Sequence, residues 1–357
     1  MSKQKQSTSK SDRRILKRIG IGIAIVLFLG WFLFWPLNRY IEMPGSADNL
    51  RSYVTVKGHP DHRKGSFMIT SVYLAQARPV TWVWAKFNPH ATIESANDVT
   101  GGTSGQTYEK VQDFYMQSAI NEAIATAYKA AHQYYRKQYL GIYVLSIQPN
   151  SKFKGKLHVG DTITKVNGHH FNTAHGYQQY IGKRKVGSKL TVDFLHNGKK
   201  KEATSKLVRL SGVSRTGIGI LLTDNVKVHT KIPCRINPGQ LGGPSGGLMF
   251  SLQVYQQLTN RNLRHGQKIA GTGTINPDGS VGEIGGIDKK VIAAHRAGAK
   301  IFFAPYIKPT KTILKYEEGH KTNYQMARDT AKKEAPGMKV VPVKNFNDAV
   351  HYLQTHH

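Results

Sequence analysis

Residues 241–250 read Leu241-Gly242-Gly243-Pro244-Ser245-Gly246-Gly247-Leu248-Met249-Phe250. One serine is framed by Gly-Gly-Pro before it and Gly-Gly after it, and an apolar run follows. That arrangement suits a nucleophile on a tight turn that opens a helix. Glycines let the backbone approach a bound group closely and adopt dihedrals closed to other residues. N–H groups at a helix start can stabilise an oxyanion, so Gly243, Pro244 and Gly246 are expected to shape a turn and an oxyanion site. Taken alone, the stretch reads more readily as an ordinary Gly/Pro/Ser loop.

Three further stretches follow almost without a break: Ala270-Gly271-Thr272-Gly273-Thr274-Ile275, then Val281-Gly282-Glu283-Ile284-Gly285-Gly286-Ile287, then Asp288-Lys289-Lys290-Val291-Ile292-Ala293-Ala294-His295-Arg296-Ala297-Gly298-Ala299-Lys300. With the serine stretch they resemble the proteolytic domain of Lon proteases, in particular the membrane-anchored, PDZ-containing Lon-like branch. Two separated motifs stand in the right order, 45 residues from serine to lysine, and the likeness covers about residues 212–353. In that family the nucleophile is the Ser of Gly-Pro-Ser-Ala-Gly. The base is the second Lys of Gly-Gly-(apolar)-Lys-x-Lys, on a helix that ends Ala-Ala-His-Arg-x-Gly. The resemblance implies Ser245 as nucleophile, Lys290 as base and Thr272 as the residue that orients the lysine. This chain departs from the pattern twice. Gly246 follows the serine in place of Ala, and Gly242 stands where an acidic residue is often found.

A Ser-Lys mechanism needs a neutral lysine, and a free lysine with a pKa near 10.4 is charged at pH 7. Burial among Ile287, Val291 and Ile292 is expected to disfavour the ammonium. Lys289 is the rival base, but one step along a helix turns a side chain by about 100°, so only one of the two lysines can face the serine. His295 offers a Ser-His alternative; in the family it belongs to the helix motif.

Residues 139–210 resemble a PDZ domain. The likeness rests on Tyr139-Leu140-Gly141-Ile142-Tyr143-Val144, on Val159-Gly160-Asp161-Thr162-Ile163, and on Val166-Asn167-Gly168. A helix near Thr173–Ile181 and a strand at Lys189–Phe194 complete it. It implies binding by β-augmentation, with Leu140, Gly141 and Ile142 aiming backbone N–H groups at a peptide carboxylate or carbonyl. Upstream, Tyr53–Val56 and Ser66–Val72 read as strands. Apolar residues recurring at Val111, Phe114, Tyr115, Ala119, Ile120 and Ile124 predict an amphipathic helix from Tyr108 to about Gln138. Ile41–Arg51 reads as a Gly/Pro-containing linker. Lys339–Val343 and Asn347–Leu353 read as strand, turn and helix. The strands and helix before the PDZ block look like the start of the catalytic domain, which makes the PDZ domain an insertion.

Ile19–Leu37 carries no charged or strongly polar side chain. As a helix it would span about 28 Å, close to the roughly 30 Å hydrocarbon core. Seven basic residues precede it against Arg39 just beyond, which predicts a cytoplasmic N-terminus and an extracellular remainder at the plasma membrane. Trp31 and Trp35 suit its interfacial end. A cleaved signal peptide is the rival reading, and no Ala-x-Ala-like site supports it. Ser2–Lys10 reads as a disordered polar tail.

The chain of 357 residues holds 51 basic against 21 acidic residues, a formal charge of +30. The excess continues beyond the N-terminal segment and favours anionic neighbours such as lipid headgroups or cell-wall polymers. It comes with no RNA- or DNA-binding signature, so no specific nucleic acid is expected. A single cysteine, Cys234, excludes an internal disulfide and reads as a structural thiol. No His-Glu-x-x-His is present, so no metal and no cofactor is expected. There is no phosphate loop either, so substrates are expected to be peptides or already unfolded proteins. Trp82 and Trp84 read as core or membrane-proximal packing.

The expected fold is α+β: a single N-terminal transmembrane helix and a Lon-type α/β proteolytic domain with an inserted β-rich PDZ domain. The segments are 1–18 as a cytoplasmic basic tail, 19–37 as the transmembrane helix, 41–138 as the N-terminal part of the Lon-like domain, 139–210 as the PDZ domain and 212–357 as the catalytic domain. The resemblance implies a serine endopeptidase, which without a phosphate loop is expected to work independently of ATP, and a possible homo-oligomer, a hexamer in many Lon-type domains. The alternative is a catalytically silent PDZ adaptor that tethers peptides at the membrane.

Overall fold

The computed structural model describes residues 10–210, 212 and 215–356. Ser2–Ser9 of the polar tail lie outside the described residues, and Lys10 opens the first helix. The chain divides into two compact units, one of residues up to Pro44 plus Val72–Gly102, the other of Gly45–Ser71 plus Thr103–His357.

In the smaller unit the helix Lys10–Phe34 is long and apolar enough, over Arg13–Phe34, to cross a membrane. It stops at Phe34, short of the expected Leu37. Pro36 disfavours helical dihedrals at the residue before it, which accounts for the earlier end. The chain then enters a strand, Arg39–Asn49, where a linker is expected from the Gly/Pro content. Residues 39–42 pair antiparallel with Thr92–Ser95, and Ile41 is buried with Ala77 and Ala85.

The larger unit holds a parallel sheet. Lys268–Gly271 lies between the strands Ser66–Gln76 and Ile301–Pro305, and Lys339–Val343 flanks the latter. Alternate residues of these strands feed two cores. Phe67, Ile69, Ile269, Ile301 and Phe303 join one, with the helices Gly105–Ala130 and Gly247–Thr259. Met68, Ala270, Phe302 and Ala304 join the other, with Ile287–Arg296 and Asn323–Glu334. A parallel sheet covered on both faces explains why these strands are apolar without alternation. At the edge next to Ser66–Gln76, Gly45 is required: a Cβ there would lie 2.6 Å from Ser71 Oγ and 2.7 Å from its carbonyl oxygen.

The helix expected to reach Gln138 ends at Ala130. His132 adopts a positive φ of 53° and turns the chain into the strand Tyr135–Ile147. That strand belongs to a separate antiparallel sheet with its own core. The order is Ile220–Thr230, Tyr135–Ile147, Thr162–Val166, Lys189–His196, Lys199–Lys206. Ile220–Thr230 therefore pairs with the block read as 139–210, although it lies within the segment read as 212–357. Its partner residues run from Ile147 back to Tyr135. The chain then returns through Cys234–Ile236, which pairs with Val54–Val56. Cys234 is half-buried, and burial pushes its thiol up to about 12, so it stays protonated near neutrality.

Arg264, fully buried, makes a bidentate pair with Asp61 at 2.7 Å on both oxygens and donates to the Arg63 carbonyl at 2.8 Å. Burial works against the Asp61 charge, but hydrogen bonds from Arg264 and Gln253 outweigh it and hold the carboxyl down at about 2. Arg264→Ala strands a buried carboxylate and is expected to cost about 3–5 kcal/mol in urea unfolding. The double variant Asp61→Asn/Arg264→Met should lose much less. Because the folded pKa lies below the unfolded one, Asp61 stabilises the fold above pH ~4, and that contribution should fade between ~4 and ~2. Asp61→Asn should flatten this part of the acid-unfolding curve.

Candidate active site

Ser245 sits on the turn that leads into Gly247–Thr259, with Gly246 as N-cap. The turn needs its glycines for distinct reasons. Gly243 has φ of 80°, a left-handed conformation, and its N–H donates to the Gln112 carbonyl at 3.0 Å. That N–H is committed to the helix Gly105–Ala130, and Pro244 has none, so of the residues expected to shape the turn and oxyanion site these two supply the turn and no donor. At Gly246 a Cβ would lie 2.5 Å from Ile69 Cδ1, so an Ala there would require the end of the Ile69 side chain to move. At Gly247 it would lie 2.8 Å from the backbone nitrogen of Ile275.

Lys290 comes from the opposite face of the sheet, on the helix Ile287–Arg296. Its side chain crosses the carboxyl end of Lys268–Gly271 and places Nζ 2.9 Å from Ser245 Oγ. Thr272, the first residue after that strand, stands between them. Lys290 Nζ donates to Thr272 Oγ1 at 3.5 Å, and Thr272 Oγ1 donates to the Ser245 carbonyl at 3.1 Å. Gly273 N–H donates to the same carbonyl at 2.8 Å, so two bonds hold the serine backbone in place. Lys290 is only 4% exposed, whereas Ser245 is partly open to solvent. The arrangement joins an enclosed amine to an accessible hydroxyl, which is the geometry of a nucleophile with an adjacent base.

Lys289, one residue earlier, points elsewhere. It is buried, and its ammonium pairs with Asp288 at 3.2 Å. His295 lies in the last turn of the same helix, five residues beyond Lys290, or about 7.5 Å along the axis.

Asn323 is a contributor that no sequence motif announced. It opens the helix Asn323–Glu334 and is buried. Its Oδ1 accepts from Ile284 N at 2.8 Å and its Nδ2 donates to the Ile284 carbonyl at 2.9 Å. Its own N–H donates to Glu283 Oε2 at 2.7 Å. These three bonds pin the loop that starts the Lys290 helix. Burial raises the Glu283 carboxyl to about 7, against the pull of the Asn323 N–H.

The peptide-binding residues expected from sequence are placed differently. Leu140, Gly141 and Ile142 lie inside the strand Tyr135–Ile147, which is paired on one side with Ile220–Thr230 and on the other with Thr162–Val166. Gly141 has φ of 140°, and a Cβ there would strike the Ile163 carbonyl, so this glycine serves strand packing. From Ile142 onward the strand is bonded on both sides and offers no edge for a peptide to join. The sheet ends at Lys199–Lys206 on one side and at Ile220–Thr230 on the other, and only the latter edge lies beside the helix Ala174–Gly182 through Asp224. That strand enters from Gly217-Ile218-Gly219, and Ala174, at the start of the helix Ala174–Gly182, donates to Asp224 Oδ1 at 2.6 Å. Ile218, Ile220 and Leu222 share a core with Tyr177 and Ile181 of that helix. The signal was present in the sequence as a second Gly-apolar-Gly-apolar run, Gly217-Ile218-Gly219-Ile220.

Comparison with known proteins finds two family models on this chain. The family model of the PDZ domain matches residues 116–207, and that of the Lon protease (S16) C-terminal proteolytic domain matches residues 176–315. The two matches overlap at 176–207, which the structure puts in the antiparallel sheet. A Lon protease of Buchnera aphidicola subsp. Schizaphis graminum is 28% identical over 149 residues, 42% of this chain and 17% of that protein. A Lon protease of Desulforamulus reducens is 38% identical over 95 residues, 27% of this chain and 11% of that protein. The chain thus spans less than a fifth of the length of these relatives. The solved PDZ domain of an SdrC-like protein from Listeria monocytogenes is 33% identical, covering 24% of this chain and 90% of that one, with a TM-score of 0.23. From the two family matches, the chain carries a PDZ domain and a Lon-type (S16) proteolytic domain.

Proposed function

We propose that this chain is an ATP-independent serine endopeptidase, anchored in the plasma membrane with its catalytic domain outside, that cleaves secreted peptides or flexible segments of membrane proteins. The observation that carries the reading is the 2.9 Å bond between Lys290 Nζ and Ser245 Oγ. Neutral Lys290 takes the hydroxyl proton while Oγ attacks the peptide carbonyl carbon. The tetrahedral intermediate then expels the amine, which takes the proton back from Lys290, and water hydrolyses the acyl-enzyme. Backbone N–H groups at the turn that opens Gly247–Thr259, Gly246 among them, would meet the oxyanion. Thr272 holds the amine on the serine side.

Peptide recruitment falls to the edge strand Ile220–Thr230 beside the helix Ala174–Gly182, with main-chain bonds giving affinity. The basic surface suits a location against anionic lipids or wall polymers.

Full-length chain in detergent, mixed with unstructured peptides and no nucleotide, should give cleavage products by mass spectrometry. Ser245→Ala and Lys290→Ala should each lower the rate by at least ~10³-fold. Equal cleavage by all three proteins would remove the dyad from the mechanism. Retention of peptide without cleavage by any of them would favour the adaptor reading. Asn323→Ala should lower kcat on the order of tenfold with little change in KM, because it loosens the Lys290 helix without touching substrate. A KM effect alone would contradict that positioning role. In the Ser245→Ala protein, bound peptide should slow amide hydrogen exchange in residues 220–225. Protection confined to other segments would rule out the edge strand.

A further inference from the structure

Tyr73, Val83, Trp84 and Phe87 all belong to the smaller unit, and they are large apolar side chains left in the open. Trp84 is 50% exposed and Phe87 is 84% exposed. Three of them lie on one short helix, Pro79–Phe87. Val83 and Phe87 are four residues apart and share a stripe, with Trp84 beside them. Another side of the helix is already used: Ala85 is buried, and Trp82 packs on the small core of Ile41, Ala77 and Ala85. The outward stripe is thus surplus to the unit's own packing, and a clustered apolar surface of this kind marks an interaction site.

The surroundings identify its partner. The helix packs against Lys10–Phe34, the apolar segment read as a membrane anchor. The Arg78 guanidinium lies 6.0 Å from the Phe34 ring centroid, Leu37 N–H donates to the Ala77 carbonyl at 2.8 Å, and Gln76 Nε2 donates to the Leu37 carbonyl at 3.2 Å. Phe34 and Trp35, where the apolar segment ends, are themselves exposed. Arg39, Arg78 and Lys86 bring positive charge to the same region, with Lys86 Nζ 4.4 Å from the Trp82 ring centroid. Aromatic side chains with cationic neighbours at the end of an apolar helix suit the boundary between acyl chains and headgroups.

We propose that Pro79–Phe87 is an interfacial helix, seated in the outer membrane–water boundary with Val83, Trp84 and Phe87 among the upper acyl chains and Arg78 and Lys86 at anionic headgroups. The anchor would then hold the membrane at two points, the span and this helix. The proposal rests on the reading of Lys10–Phe34 as a membrane span, and the test separates the two.

The chain has four tryptophans, Trp31, Trp35, Trp82 and Trp84. Two full-length proteins would be reconstituted in vesicles of phosphatidylcholine and phosphatidylglycerol, one keeping only Trp84 and one only Trp31, the other tryptophans being replaced by Phe. Equal thermal unfolding to the parent protein would show that each is folded. Lipids brominated just below the carbonyls should quench Trp84 emission roughly twofold or more, and aqueous iodide should quench it little. If Trp31 is quenched by brominated lipid but Trp84 is open to iodide and blind to the lipid, the interfacial helix is wrong and the span stands. If Trp84 is shielded from iodide yet blind to brominated lipid, protein covers it and the proposal falls. If Trp31 is itself blind to brominated lipid, the span reading fails and this proposal with it.

Discussion

Parallel pairing of Lys268–Gly271 between Ser66–Gln76 and Ile301–Pro305 is the constraint on which the catalytic unit depends. It joins segments about two hundred residues apart, and the antiparallel PDZ sheet is built from the chain between them. Both faces of these strands are buried, so each must feed two cores at once. Thr272 and Gly273 come directly after the central strand, and their bonds to the Ser245 carbonyl couple the Ser245 turn to the end of the sheet.

The helix that Ser245 opens covers one face of the sheet, and the Lys290 helix covers the other. Their functional groups meet only because each reaches past the same strand ends. That origin makes the distance sensitive to both layers. Ile69 packs on Gly246 from the sheet, where a single added carbon would displace the end of its side chain. Asn323 holds the loop before the Lys290 helix from a third element. Lys289 shows how directional the arrangement is: one helical step away, it pairs with Asp288 and stays away from the serine.

In the PDZ sheet the question is which strand has a free edge. Tyr135–Ile147 contains Leu140-Gly141-Ile142 and Ile220–Thr230 follows Gly217-Ile218-Gly219, and local pattern ranks them alike. Sheet order separates them, because one is paired on both sides and the other on one. Unpaired backbone groups, rather than side-chain identity, decide where a peptide can add.

The lysine that goes with Ser245 was legible only through the likeness to Lon proteolytic domains. Features set within a few residues were legible directly: the glycine turn around Ser245, the apolar run before Arg39, and the closing strand and helix at Lys339–Val343 and Phe346–Thr355. These follow from backbone freedom at glycine, from periodicity and from continuous apolar length, all properties of local chain. The tertiary structure alone decided the turn at His132, the strand at Arg39–Asn49, the edge position of Ile220–Thr230, the buried Asp61–Arg264 pair and the role of Asn323. Each of these depends on a partner far along the chain. A polar residue such as Asn323 or Arg264 reads as surface until folding removes its water and supplies a specific bond in return.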